Sequence, residues 1–375
     1  MKSIFLLILL SIYFINCKLP FFNLIKTKKG ISEEKKITYV YGHINPDTDA
    51  ISSAIILCDY LQQKYPQKLF IPGRLGEINK ETEYALNYFK FNVPKLITDP
   101  VEADEVILVD HNNPTQSIKF DKANIIGLID HHAITGFFTN NPINIITKPI
   151  GCTATILYEL YNNNNITISE GIGGLIISAI ISDTLLLKSA VTTQEDIDAV
   201  ENLSSYFDIN YKTFGLELLK RGTDVSDLTE EKIINLDSKS YKVNGYDIQI
   251  AFLNMIEVDS FLKDRKEKLL VEINKFVKDN KKQLFTLVIV DIINLDSTVL
   301  AEGKYIDVLE KAFNVTVVDN QVFLKGITSR KKEVYPKIAE EFEILPEYED
   351  EDGGKNNSNN IKFNFMLLFI LLILI

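Results

Sequence analysis

The chain has no tryptophan, three methionines, three cysteines and four histidines in 375 residues. Three cysteines exclude a disulfide framework. Cys17 stands near the start of the chain, and Cys58 and Cys152 each fall in an apolar, helix-like stretch where a buried free thiol is the default. Positive charge is also in deficit: 40 Lys and Arg against 51 Asp and Glu give a net charge of -11. That balance excludes a general nucleic-acid binder, whose surface would neutralise phosphates with clustered basic residues. Any affinity for phosphate must be local. An apolar run long enough to span a bilayer is missing too. What remains is an ordinary globular composition, 46% apolar and 24% charged, with length enough for two domains.

The two ends differ from the middle. Lys2 followed by an apolar stretch from Ile4 reads as a signal peptide over residues 1–17. At the other end, an acidic polar stalk (346–362) precedes a short apolar run that closes the chain. Small and polar residues followed by a terminal apolar segment have the order of a GPI-type tail signal, here residues 363–375. Together the ends predict the secretory pathway, a cell-surface location, and membrane contact through a lipid anchor or a short tail.

Between them, short apolar runs alternate with helical patterns: ITYVYG, AISSAIILCDYLQQ, KLFIPG, ETEYALNYF, EVILVD, NIIGLID, NIITKPI and TATILYELY. Such alternation predicts an α/β fold whose first domain, residues 36–222, is a doubly wound parallel sheet with helices on both faces. A long apolar helix, GIGGLIISAIISDTLLL, follows, then the amphipathic TTQEDIDAVENLSSYF. A polar linker, residues 223–229, leads to a smaller C-terminal α/β domain with a mixed sheet, residues 230–345. It opens with a hairpin around Asn244-Gly245.

Every histidine falls in a turn that ends one of the strand-like runs and also carries aspartate. His43, Asp47 and Asp49 follow ITYVY; Asp110 and His111 end EVILVDH; Asp130, His131 and His132 end NIIGLIDHH. Parallel strands project their following loops to one edge, so the three turns can converge. Asp183 ends an apolar helix, where an unpartnered carboxylate is costly. Each piece alone has a plain reading, since Asp ahead of a helix is an ordinary cap. Jointly they point to a metal site, and imidazole with carboxylate suits Mn, Mg, Fe or Co rather than a thiolate-bound structural zinc.

These residues resemble the DHH phosphoesterases, and within them the manganese-dependent (family II) inorganic pyrophosphatases. The likeness runs over nearly all of residues 37 to 340 in ordered blocks, among them GHINPDTDAISSA, LVDHN, GLIDHH, GCTATIL, AIISDTLLLKS, LDSKSY and GITSRKKEV. The resemblance implies one metal on His43, Asp47 and Asp110 and a second on Asp49, His131 and Asp183, with Asp110 bridging. It further implies two Mn²⁺ per subunit, with Co²⁺ or Mg²⁺ as substitutes and more Mg²⁺ arriving with pyrophosphate. A water bridging the two ions would attack phosphorus in line. Two divalent cations against Asp47, Asp49, Asp110 and Asp183 leave the loaded site roughly neutral, so the substrate's charge calls for other cations. On the family pattern these are Lys239, Arg330 and Lys331 from the second domain, with His132 meeting the leaving phosphate and His111 supporting the ligands. The cleft between domains would close about the 223–229 linker, and homodimers are one assembly the family uses.

Asn113 departs from the acidic residue that often follows DHN in these enzymes. The nearest rival is a short-chain exopolyphosphatase of the same superfamily, against which His43 argues. A rival of another class is a surface-anchored antigen or adhesin in which catalysis has lapsed. Retention of all the proposed ligands and cations argues against it.

Overall fold

A computed structural model of the chain describes residues 37–98, 105–118 and 124–348. The expected signal peptide, most of the stalk and the terminal tail lie outside the described residues. From Ile37 onward the chain clusters as one unit that carries two sheets.

The first sheet is parallel throughout. Its strands are β1 (Ile37–Tyr41), β2 (Leu69–Arg74), β3 (Lys95–Leu96), β4 (Glu105–Val109), β5 (Asn124–Asp130) and β6 (Asn144–Thr147), in the order β3-β2-β1-β4-β5-β6. The strand order reverses between β1 and β4, and ligands of open α/β sheets collect at such a switch point. Because β1, β4 and β5 are adjacent, the three histidine-bearing turns leave neighbouring strand ends.

Helix α1 (Thr48–Lys64) follows β1. Asp47 caps it by accepting from the Ala50 amide at 2.9 Å, Asp49 lies in its first turn and Lys64 in its last, all in accord with the helix dipole. Gly42 is needed here, since a Cβ on it would lie 2.5 Å from the Ala50 Cβ. Then come α2 (Lys80–Tyr88), α3 (Thr153–Asn163), α4 (Glu170–Asp183), α5 (Gln194–Phe207) and α6 (Tyr211–Gly222). Helix α4 is apolar all round and buried from Ile172 to Ile181, as expected of a helix at the centre of a core.

The α/β plan with a parallel first sheet is as expected, and two details refine it. The helices of this half share one apolar cluster with Val40, Val109 and Ile129, whereas the other face of the sheet, around Tyr41, Val106, Leu108 and Leu128, is covered by loop residues such as Ile97, Ile118 and Phe137. The connections before and after β4 hold no α-helix among the described residues. The long apolar helix also ends at Asp183, not Leu187. Leu185, Leu186 and Leu187 have φ of 48°, 59° and 63°, a left-handed turn that a β-carbon disfavours. It is held by amide bonds from Leu186 to the Ile181 carbonyl and from Lys188 to the Thr184 carbonyl.

Helix α7 (Glu230–Asn235) leads into β7 (Ser238–Val243) and β8 (Tyr246–Met255), an antiparallel pair joined at Asn244 and Gly245, both with positive φ. Helix α8 (Val258–Asp279) then crosses to β9 (Leu284–Asp291), which pairs parallel to β8. β10 (Asp296–Glu302) and β11 (Gln321–Leu324) add antiparallel, giving the order β11-β10-β9-β8-β7. This is the expected mixed sheet. α9 (Asp307–Phe313) and α10 (Tyr335–Glu343) complete the half, and a wide π-helical turn at Arg330–Val334 enters α10.

Candidate metal centre and phosphate cleft

Asp110 is the hub of the site. β4 delivers it, and the chain leaves the strand there in a left-handed conformation (φ 57°) that Asp tolerates better than most residues. Its carboxylate is 1% exposed. Oδ2 lies 3.5 Å from His43 Nε2 and Oδ1 lies 3.4 Å from His131 Nε2, so each oxygen addresses a different histidine. Asp47 divides its own oxygens: Oδ1 caps α1 while Oδ2 lies 3.4 Å from His43 Nε2. The cap reading of this residue is therefore met, and its second oxygen stays turned toward His43.

On the other side, Asp49, Cys152 and Asp183 bring one ligand atom each within 4.8 Å of one another, and Asp183 Oδ2 stands 3.9 Å from His131 Nε2. Asp49 is fully buried and accepts from Ser53 Oγ (2.7 Å), the Thr153 amide (2.7 Å) and the Ala154 amide (3.1 Å). The last two are the first amides of α3, so its dipole faces the carboxylate. All six residues expected as ligands thus gather at one place.

The donors fit a pair of divalent cations. Ligand atoms held about 2.1–2.2 Å from one cation at angles near 90–110° lie roughly 3.0–3.5 Å apart. The separations between His43, Asp47, Asp110 and His131 match that spacing and exceed a good hydrogen bond. Charge supports the same conclusion. Burial, with Asp110 and Asp47 nearby, pushes Asp49 up to about 7, and burial beside Asp49, Asp110 and Asp47 drives Asp183 well above the carboxylate range. Burial opposes charge on His43, but Asp110 and Asp47 overcome it and carry it to about 10; His131, also disfavoured by burial, is carried by Asp110 and Asp49 to about 9. Burial would raise Asp110, yet the flanking histidines hold it below the usual range. Protons kept on Asp49, Asp183, His43 and His131 thus offset charge that cations would neutralise. Burial holds the Cys152 thiol protonated.

Further groups support the ligands, and Glu81 and Thr153 among them were not legible in the motifs. Glu81 Oε1 accepts from Thr48 Oγ1 at 2.7 Å and from Ser182 Oγ, tying the Asp47–Asp49 turn to the residue before Asp183. Thr153 Oγ1 reaches Asp110 Oδ1 at 3.1 Å. Asp130 is fully buried and holds His132 by Nδ1 at 2.9 Å and by its amide at 3.0 Å, raising His132 and fixing a proton on Nδ1. His111 is buried, gives Nδ1–H to the Val109 carbonyl, meets Ser117 Oγ with Nε2, and sets its ring edge to face against His43 at 6.4 Å. Asn113 caps a short turn, its Oδ1 accepting from the Thr115 amide at 2.9 Å.

The expected cations lie in one cavity of about 1030 Å³ between the two halves. Lys239, Arg330 and Lys331 line one wall, and Glu81, Ser182 and Leu185 line the other. The two lysines are exposed and Arg330 is half-buried.

Comparison with known proteins agrees with this arrangement. Residues 37–180 match the DHH family, N-terminal domain, and residues 216–340 match the DHHA2 domain. A protein of Enterococcus faecalis named "Probable manganese-dependent inorganic pyrophosphatase" is 43% identical over 305 residues, which is 81% of this chain and 98% of the relative. One of the same name from Brevibacillus brevis is 41% identical over 83% of this chain and its own full length. The chain belongs to the manganese-dependent inorganic pyrophosphatase family. A Methanococcus jannaschii crystal structure assigned to the family II inorganic pyrophosphatases superposes with a TM-score of 0.54 at 38% identity, covering 81% of this chain and 99% of the other.

Membership corrects one expectation. The chain ends had predicted a GPI-anchored protein at the cell surface. The relatives that decide the family are named manganese-dependent inorganic pyrophosphatases and are matched over almost their whole length, so the secretory, cell-surface location is withdrawn. Among the described residues, no helix is long and apolar enough to cross a membrane.

Proposed function

We infer that the chain hydrolyses inorganic pyrophosphate to two phosphates, with manganese held by His43, Asp47 and Asp110 on one side and by Asp49, His131 and Asp183 on the other. The observation that carries this reading is the Asp110 carboxylate, each of whose oxygens faces a different histidine. When bound, divalent ions there would supply Lewis acidity that makes water a nucleophile near neutral pH and would screen the charge of the reacting phosphate. The chain's own residues do the rest. His43, Asp47, Asp49, His131 and Asp183 hold fixed positions around Asp110, so little reorganisation accompanies the reaction. Asp130 occupies Nδ1 of His132 and leaves Nε2 as the nitrogen able to hand a proton to the departing phosphate. Lys239, Arg330 and Lys331 bring positive charge to a substrate with up to four negative charges, Arg330 through its two-donor fork and the lysines as mobile point charges.

Phosphate release from pyrophosphate, tripolyphosphate and long-chain polyphosphate, compared at equal Mn²⁺, tests the substrate. Pyrophosphate should turn over fastest. Fastest turnover on long chains would make the exopolyphosphatase reading the better one.

The segment between α6 and α7, residues 223–229, is the proposed hinge of the cleft. Lys80 Nζ ties it to the first domain through Asp224 (3.2 Å) and Asp227 (2.5 Å). Closure about it should shrink the radius of gyration in small-angle scattering when imidodiphosphate is added to the Mn²⁺-loaded protein. Superimposable curves would count against a hinge.

A further inference from the structure

Of the three cations on the cleft wall, Arg330 alone is gripped by the protein among the described contacts. Its Nη2 donates to Asp237 Oδ1 at 2.6 Å and its Nη1 to the Asp237 carbonyl at 2.8 Å, with a longer contact to the Ile250 carbonyl at 3.4 Å. The guanidinium Cζ lies 5.3 Å from the Phe252 ring centroid. One residue thus holds both terminal nitrogens of the fork while an aromatic ring sets its plane. Asp237 is itself fixed, since its carbonyl also accepts the Phe252 amide at 2.9 Å just before β7 begins. Lys239, two residues on, pairs in register with Ile250, so the Arg330 fork and the Lys239 backbone share one end of the β7–β8 ladder. No described acceptor takes the Arg330 Nε–H.

We propose that Asp237 is a positioning residue for pyrophosphate: it holds the Arg330 fork in the orientation that grips phosphate oxygens. A carboxylate beside a phosphate-binding arginine weakens the attraction for anions, so its presence needs a compensating role. The two-point grip supplies one, because an arginine side chain loses considerable rotamer freedom on binding, and Asp237 has fixed that freedom before substrate arrives. The side-chain grip and the backbone grip also divide the role. Replacement of the carboxylate removes the Nη2 partner and leaves the Nη1 bond to the carbonyl, so the fork pivots but is not released. The effect should therefore fall on substrate affinity more than on the turnover of bound substrate.

This proposal rests on the reading of Arg330 as a substrate cation, and a double-mutant cycle separates the two. The Mn²⁺-loaded full chain is measured as parent, Asp237→Ala, Asp237→Asn, Arg330→Ala and the Asp237→Ala/Arg330→Ala double variant. The readouts are kcat and KM for pyrophosphate and the dissociation constant of imidodiphosphate by calorimetry, with Mn²⁺ affinity and Tm as controls. Asp237→Ala should raise KM and the imidodiphosphate constant about tenfold with kcat changed less than threefold, and Asp237→Asn should fall between it and the parent. On the Arg330→Ala background, Asp237→Ala should cost nothing further. A full and additive loss in the double variant, or a parent-like Asp237→Ala, would overturn the proposal while leaving Arg330 as a substrate cation. A parent-like Arg330→Ala would overturn both readings.

Discussion

Asp110→Asn is expected to lower kcat for pyrophosphate by on the order of a thousandfold or more, because several kcal/mol of charge stabilisation are lost and each 1.4 kcal/mol is a factor of ten. The substitution is nearly isosteric. Asn tolerates the left-handed backbone at this position as well as Asp does, and its carbonyl oxygen can still accept the Thr153 hydroxyl that now reaches Oδ1. Folding should survive. What disappears is the second anionic oxygen, so one of His43 and His131 faces an amide NH₂ in place of a carboxylate. No neighbour can replace it, because Asp47 spends Oδ1 on the α1 cap and Asp49 is enclosed by three donors. Steady-state hydrolysis at saturating Mn²⁺, with circular dichroism to confirm the fold, is the measurement. A variant that hydrolyses pyrophosphate as fast as the parent would show that no dinuclear site operates here.

The site was legible where its residues sit at strand ends. β1, β4 and β5 announce themselves as short apolar runs, and their following turns carry all four histidines. Adjacency of three parallel strands then makes convergence a matter of topology. Glu81 and Thr153 were not legible as supporting groups, because their partners are remote in sequence. Glu81 serves Ser182, 101 positions away, and Thr153 serves Asp49, 104 positions away. A Glu in a helix's first turn looks like an ordinary dipole partner until the fold brings the hydroxyls to it. Asp237 is a similar case: within LDSKSY it reads as a strand-edge acid, and only the return of the chain at Arg330 gives it a function. The end of α4 failed for a different reason. Apolar residues resume at Leu185, Leu186 and Leu187 after Ser182, Asp183 and Thr184, and hydrophobicity carries no information about the sign of φ. The left-handed turn matters to the site because it stops the helix at Asp183, leaving that carboxylate at the helix end beside His131.

Removing manganese should destabilise the protein in a pH-dependent way whose direction follows from the same charges. Without cations, Asp49 holds its proton to about pH 7, whereas an unfolded Asp releases it near 3.8. His43 and His131 hold theirs to about 10 and 9, against 6.5 when unfolded. In each case the folded state binds more protons than the unfolded state, so the stability contributed by the group is complete below its unfolded pKa and falls as pH rises through its folded pKa. The carboxylate spends its contribution between about pH 4 and 7, and the histidines between about 6.5 and 10. Asp110, held low by the histidines, acts in the opposite direction only in acid. Manganese needs imidazole and carboxylate without their protons, so its affinity climbs over the interval in which the metal-free protein weakens. Binding to the folded state alone adds RT ln(1 + [L]/Kd). The Tm difference between Mn²⁺-loaded and chelator-treated protein should therefore widen steadily from about pH 5.5 to 8.5. Taking the difference at each pH cancels groups that titrate alike in both forms. A difference that stays flat or narrows over that range would mean that these protons are not displaced by the metal, and that the carboxylates and imidazoles around Asp110 are balanced by one another alone.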